Sequence, residues 1–160
     1  MTDHQLIVYN KIKKNYQLIV LRNEVYDIDF HSPRNEVIFF LDKVRHLLSN
    51  NANFIFIKNR RKEKENPKYT TETCLFELEY DNIDVINEIC SLSLEHYYQT
   101  LFDDKGRGTQ PLFIFIKKIQ NKQVYIKIKL KENDEGEKVV CISFHFAEYE
   151  VKKLPYVSQF

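Results

Sequence analysis

Two hydrophobic periods divide the chain. In the run RNEVIFFLDKVRHLLSNN, the apolar residues Val37, Phe40, Leu41, Val44, Leu47 and Leu48 recur at helical spacing. An amphipathic helix is predicted there, with Ser32 as its N-cap, Pro33 at the first helical position and Asn50-Asn51 at its end. Towards the C-terminus the period falls to two: LFIFIKKI, QVYIKIKLK and VVCISFHF, separated by QNK and ENDEGE, read as three strands of an antiparallel meander. Between these regions NFIFIKN is a short strand, and Thr70-Thr71 opens a second helix through Phe76 and Leu78. Asn82 or Asp84 caps a third helix that turns Val85, Ile86 and Ile89 inward, and Ser93 with His96 begins a short fourth carrying Tyr97, Tyr98 and Gln99. At the N-terminus LIVYNKI, YQLIVLR and VYDIDF alternate loosely and predict a β-hairpin. KNRRKEKENPK and DDKGRGTQP have no periodicity and read as loop and turn.

Helices that precede an antiparallel sheet, rather than alternating with its strands, imply an α+β fold with the helices packed on one side. Residues 1–32 are expected to form an N-terminal β extension and residues 33–160 the main unit, together one compact domain.

Side chains alternate along a strand, so Val124, Ile126, Ile128 and Leu130 share one face, leaving Gln123, Tyr125, Lys127, Lys129 and Lys131 on the other. In the next strand Val140, Ile142, Phe144 and Phe146 take the apolar side and Cys141, Ser143 and His145 the polar one. A register that buries both apolar sets pairs odd numbers with odd. A three-residue loop Asp134-Glu135-Gly136 then sets Lys129 against Cys141, Lys127 against Ser143 and Tyr125 against His145. An imidazole beside a phenol, flanked by lysines, can supply a base for a ribose 2′-hydroxyl, an acid for the leaving oxygen and cations for the phosphorane. The same residue types also populate an ordinary solvated sheet face.

Composition narrows the classes. With 43% hydrophobic residues and 14% aromatic, the chain is too apolar for disorder. No stretch approaches the roughly 20 apolar residues of a membrane span, and no secretory leader pattern opens the chain, so a cytoplasmic protein is expected. Cys74, Cys90 and Cys141 lie in apolar runs without C-x-x-C spacing and are expected as buried free thiols. A formal net charge of +1 gives the whole molecule no pull on a polyanion. Local clusters remain: Lys58, Arg60, Arg61, Lys62 and Lys64, and a second run from Lys117 to Lys131 without an acidic residue. There is no glycine-rich phosphate loop, nucleophile elbow or metal-ligand spacing, and His4, His31, His46 and His96 are isolated, so no cofactor is expected.

The strings ICSLSLEHYYQ, KKIQNKQVYIKIKL and KVVCISFH, in this order of elements, resemble the MqsR (motility quorum-sensing regulator) family of bacterial type II toxins, which have a RelE-like fold. The similarity spans roughly residues 36–149 and is most specific in VYIKIKL, VVCISFH and the L-S-x-E-x-Y-Y turn. The resemblance implies a metal-independent interferase that cuts single-stranded mRNA and is held inactive by a cognate antitoxin. It further implies His145, Tyr125 and Lys127 as catalytic residues and sets Tyr98 and Gln99 near the RNA, while the basic clusters supply Lys117, Lys129, Arg60 and Arg61 as further expected RNA-binding residues. His145 and Gln99 stand where the type member has lysines, and Phe113 or Ile114 falls near a position occupied there by glutamine. Close relatives of the type member also carry histidine at the His145 position. The Gln99 and Phe113 or Ile114 departures fit a second expectation, a catalytically inactive relative that grips a protein partner as an inhibitor or immunity protein of a mobile element. The first 30 or so residues have no counterpart in the compact toxins and could cover a sheet edge, form a homodimer contact or replace an antitoxin surface.

Overall fold

The computed structural model describes residues 31–58, 66–101 and 110–157. The expected N-terminal hairpin with its dimer contact, the basic pair Arg60 and Arg61, and most of the turn cluster after Phe102 lie outside the described residues.

Among the described residues the order is α1 (Arg34–Leu48), β1 (Phe54–Phe56), α2 (Thr71–Leu78), α3 (Asn82–Cys90), β2 (Tyr97–Leu101), β3 (Leu112–Ile119), β4 (Lys122–Asn133) and β5 (Gly136–Phe146). The five strands form one sheet in the order β1-β5-β4-β3-β2, with the three helices packed alongside, so the fold is α+β. The meander β3-β4-β5 is antiparallel as expected. The all-antiparallel expectation is corrected at one edge, where β1 runs parallel to β5 and makes the sheet mixed. Parallel neighbours need a long crossover, and here the rest of the fold from α2 to β4 supplies it.

The fourth helix is also corrected. Leu94–His96 makes a single 3-10 turn, and Tyr97–Leu101 continues as a strand paired with β3. Two tyrosines and a threonine fit a pleated, half-buried edge better than a helix once a neighbouring strand is available.

α1 buries Val37, Phe40, Leu41, Val44 and Leu48, the face its spacing marks out. These pack on the side of the sheet carrying Phe113, Phe115, Ile126, Ile128 and Phe144, and the Phe40 ring stacks on Phe113 with centroids 3.9 Å apart. Thr70 caps α2 as predicted, its hydroxyl accepting from Thr73 N. For α3 the cap is Asp81. Its carboxylate accepts from Asp84 N and Ile83 N while Asp84 reaches back to Asp81 N, so Asp84 is the third helical residue of a capping box and neither expected cap holds. Those backbone donors hold the Asp81 carboxyl below the usual carboxylate range.

Ser32 does not cap α1. It is drawn instead into a buried hydrogen-bonded triangle: its backbone N donates to Tyr97 Oη at 2.7 Å, its hydroxyl meets Thr100 Oγ1 at 2.7 Å, and Tyr97 Oη lies 2.7 Å from the same Thr100 oxygen. Tyr156 Oη donates to Ser32 O and its ring stacks on Tyr97, so one residue of β2 ties both the entry to α1 and the C-terminal tail to the sheet edge. Tyr97→Phe leaves the Ser32 N–H and the Thr100 hydroxyl short of a partner in a site closed to water. It is expected to lower stability by about 1–3 kcal/mol, measured by urea denaturation.

Candidate functional site

The face of the sheet turned away from the helices carries the predicted chemistry, and two hairpins set its register. Ile119 pairs with Lys122 around Gln120 and Asn121, both at positive φ (48° and 64°), the two-residue turn whose twist suits a hairpin. Asn121 tolerates that conformation well, and Gln120 is held by a bond from its Nε2 to Leu78 O. At the other end Asn133 pairs with Gly136 around Asp134-Glu135, a two-residue turn in place of the expected three-residue loop. Gly136, at φ +108°, fits just outside it.

The difference has one cause, a β-bulge at Ile142. On the far side of the bulge from the turn the expected pairs hold, Tyr125 with His145 and Lys127 with Ser143. On the turn side every pair moves by one residue: Cys141 faces Ile128 in the core, and Val140, itself buried, rather than Cys141 opposes Lys129 on the face away from the helices. Burial pushes the Cys74 thiol up to about 12 and the Cys141 thiol higher still, so neither is a thiolate near neutral pH.

Tyr125 and His145 stack nearly parallel, with ring centroids 5.1 Å apart and planes 13° from coplanar. His145 Nδ1 lies 2.9 Å from Phe146 O. A carbonyl oxygen can only accept, so Nδ1 carries the proton in the neutral ring and Nε2 keeps the lone pair. The imidazole is thereby held in plane by the phenol and in tautomer by the backbone. Lys127 Nζ sits 5.8 Å from the Tyr125 ring centroid, over its face. The three side chains are half-buried, a setting in which charge is screened less than in open water. Together they offer an accepting nitrogen, a phenolic donor and a cation within one short stretch of two strands.

Other expected site residues distribute differently. Lys129 follows Lys127 on the same face, and Gln99 joins it from β2 through the row Gln99, Ile114, Lys127, Ser143. Ile114, fully buried, fills the place between Gln99 and Lys127, while Phe113 points to the core. Tyr98 is the extra residue of a bulge in β2. Lys117 does not join the group: it pairs with Val124 on the helix side, and its Nζ bonds Glu88 Oε2 of α3 and Ser91 Oγ, each at 2.5 Å. The run LFIFIKKI is apolar on both faces, so alternation could not assign Lys117 to either.

Glu88 also accepts from Tyr80 Oη at 2.6 Å, and burial with that carboxylate pushes the Tyr80 phenol up to about 12. Close by, His96 Nδ1 accepts from Ser93 N, which gives this isolated histidine a structural role; burial and the Lys117 charge lower its pKa. Lys117→Met leaves Glu88 half-enclosed beside a phenol without its counter-charge. A loss of about 1–3 kcal/mol is expected, measured by urea denaturation.

Sequence reasoning missed Gln123. Its side-chain amide grips the C-terminal tail, accepting from Val151 N and donating to Val151 O, a long-range clasp that no local pattern announces. Among the described residues no helix is long and apolar enough to cross a membrane. No protein-family model, curated protein or solved structure matches the chain.

Proposed function

We propose that the chain is a metal-independent endoribonuclease that cuts single-stranded RNA at the Tyr125–His145–Lys127 cluster, as an mRNA interferase of a type II toxin–antitoxin system with a RelE-like fold. The single observation that carries the reading is the stack of Tyr125 on an imidazole whose Nδ1 proton is tied to Phe146 O, leaving Nε2 to accept a proton. In the reaction His145 Nε2 takes the proton of the ribose 2′-hydroxyl, and the 2′-oxygen attacks the adjacent phosphorus. The bond from phosphorus to the 5′-oxygen breaks, and that oxygen takes the phenolic proton of Tyr125. Lys127 stabilises the extra negative charge of the phosphorane, with Lys129 and Gln99 along the same face to bind neighbouring phosphates. The products are a 2′,3′-cyclic phosphate and a 5′-hydroxyl. An antitoxin in the same cytoplasm is the partner that restrains such a protein.

The test is incubation of the purified protein with unstructured RNA in EDTA, followed by end-group analysis. Cyclic phosphate ends and resistance of 2′-O-methyl RNA are expected. Cleavage abolished by EDTA, or cutting of 2′-O-methyl RNA, refutes the mechanism.

Two observations favour a second reading, a non-catalytic protein binder: Ile114 interrupts the polar row between Gln99 and Lys127, and Ile55 and Ile57 stand exposed at the β1 edge. Expression of the chain alone separates the two. Growth arrest that disappears with His145→Ala supports the nuclease, whereas a harmless chain without RNase activity supports the binder.

A further inference from the structure

Gln123 does more than start β4. Its carbonyl accepts from Ala147 N at 2.9 Å, and its side-chain amide accepts from Val151 N at 2.8 Å and donates to Val151 O at 2.9 Å. One residue thus closes both ends of the loop 147–151. A second anchor follows where Tyr156 stacks on Tyr97 and donates to Ser32 O. At the middle of the closed loop stands Tyr149, 82% exposed.

The position of this ring on the molecule matters. Gln123 shares with Tyr125 the face turned away from the helices, both half-buried, one alternation or about 7 Å away along the strand. Directly across from Gln123 is Lys118, exposed, and exposed Lys152 and Lys153 follow Val151. Phe76 is just as exposed but belongs to α2, on the opposite side of the sheet. Glu148 and Glu150 flank Tyr149 and oppose a phosphate at the tip itself. A neutral, flat group is what the tip can accept, with the phosphates beside it falling to the lysines.

We infer that Tyr149 is a stacking platform for an unpaired nucleobase next to the scissile phosphate, displayed by the loop that Gln123 clasps. The inference relies on the nuclease reading for the identity of the ligand. Its physical basis is separate: a ring carried on a loop already closed at both ends leaves less backbone freedom to lose on binding, and any base has a face to stack on it. Single-stranded RNA is the class of ligand, since duplex bases are already stacked on one another and cannot reach the ring.

The chain contains no tryptophan, so Tyr149→Trp introduces a sole indole whose emission reports stacking. Titration with a single-stranded 2′-O-methyl oligoribonucleotide, which binds without being cut, is expected to quench it, while the matching duplex is not. Tyr149→Ala is expected to weaken binding of the same labelled oligonucleotide about 5- to 150-fold, and Tyr149→Phe to retain it. Equal affinity of the wild-type and Tyr149→Ala proteins overturns the platform, even where cleavage proceeds. Binding that depends on Tyr149 without cleavage sustains the platform and removes the nuclease. A wild-type protein that binds neither oligonucleotide overturns both.

Discussion

His145→Ala is expected to slow RNA cleavage about 100- to 10,000-fold, the usual contribution of one positioned acid–base group. The loss should fall on kcat, with KM little changed, because the proposed mechanism gives the phosphates to Lys127 and Lys129 and only the proton transfer to the imidazole. Tyr125 provides the internal control. Tyr125→Phe keeps the ring that stacks on His145 and removes only the proton, whereas Tyr125→Ala removes both, so the alanine variant should be the slower. His145 is half-buried at the end of β5, and its truncation leaves Val124, Phe144 and Phe146 in their core contacts. Denaturation midpoints of wild type and His145→Ala should therefore nearly coincide. Full activity in His145→Ala sinks the mechanism, whatever the fold.

What the sequence could and could not announce follows from the range of each signal. Period-two alternation fixed the faces of Tyr125 and His145, but their pairing came out as expected only because the bulge at Ile142 offsets a turn one residue shorter than the expected loop. Beyond the bulge the reading failed: Lys138 to Phe144 is buried throughout, so nothing in its polarity marks Ile142 as the extra residue. Lys117 was read as a phosphate ligand for the same reason, since a strand apolar on both faces hides which lysine turns inward. β1 was recognised as a strand, yet its parallel partner lies far along the chain, where no local pattern reaches. Tyr97 looked helical from its neighbours and became a strand through contacts with Ser32, Phe113 and Tyr156. The Tyr125–His145 neighbourhood was thus visible as a two-strand feature, while the features that came from tertiary contact, the Gln123 clasp and the Lys117–Glu88 pair, were not.

The largest stability loss is expected at Phe115. Its side chain is fully buried on β3, 6.3 Å from the Phe40 ring of α1 and 6.0 Å from Tyr97 of β2, so it touches the helical layer and the sheet edge at once. Phe115→Ala removes the ring between two elements that α1 and β2 hold in place, and collapse around the gap would cost the Tyr97 triangle its geometry. A loss of about 3–5 kcal/mol is expected, which lowers Tm by about 6–20 °C for a domain of this size. Phe115→Leu keeps most of the volume and should cost much less. An unchanged Tm in Phe115→Ala would mean that α1 is not seated on β3 as described. The same variant bears on the proposed site, because Phe115 lies between the buried Ile114 and Ile116, which pair with Lys127 and Tyr125 on the other face of the sheet. If β3 loosens as one unit, cleavage by Phe115→Ala should be near normal well below its Tm and fall with the fold on warming, whereas a chemical role would depress kcat at every temperature.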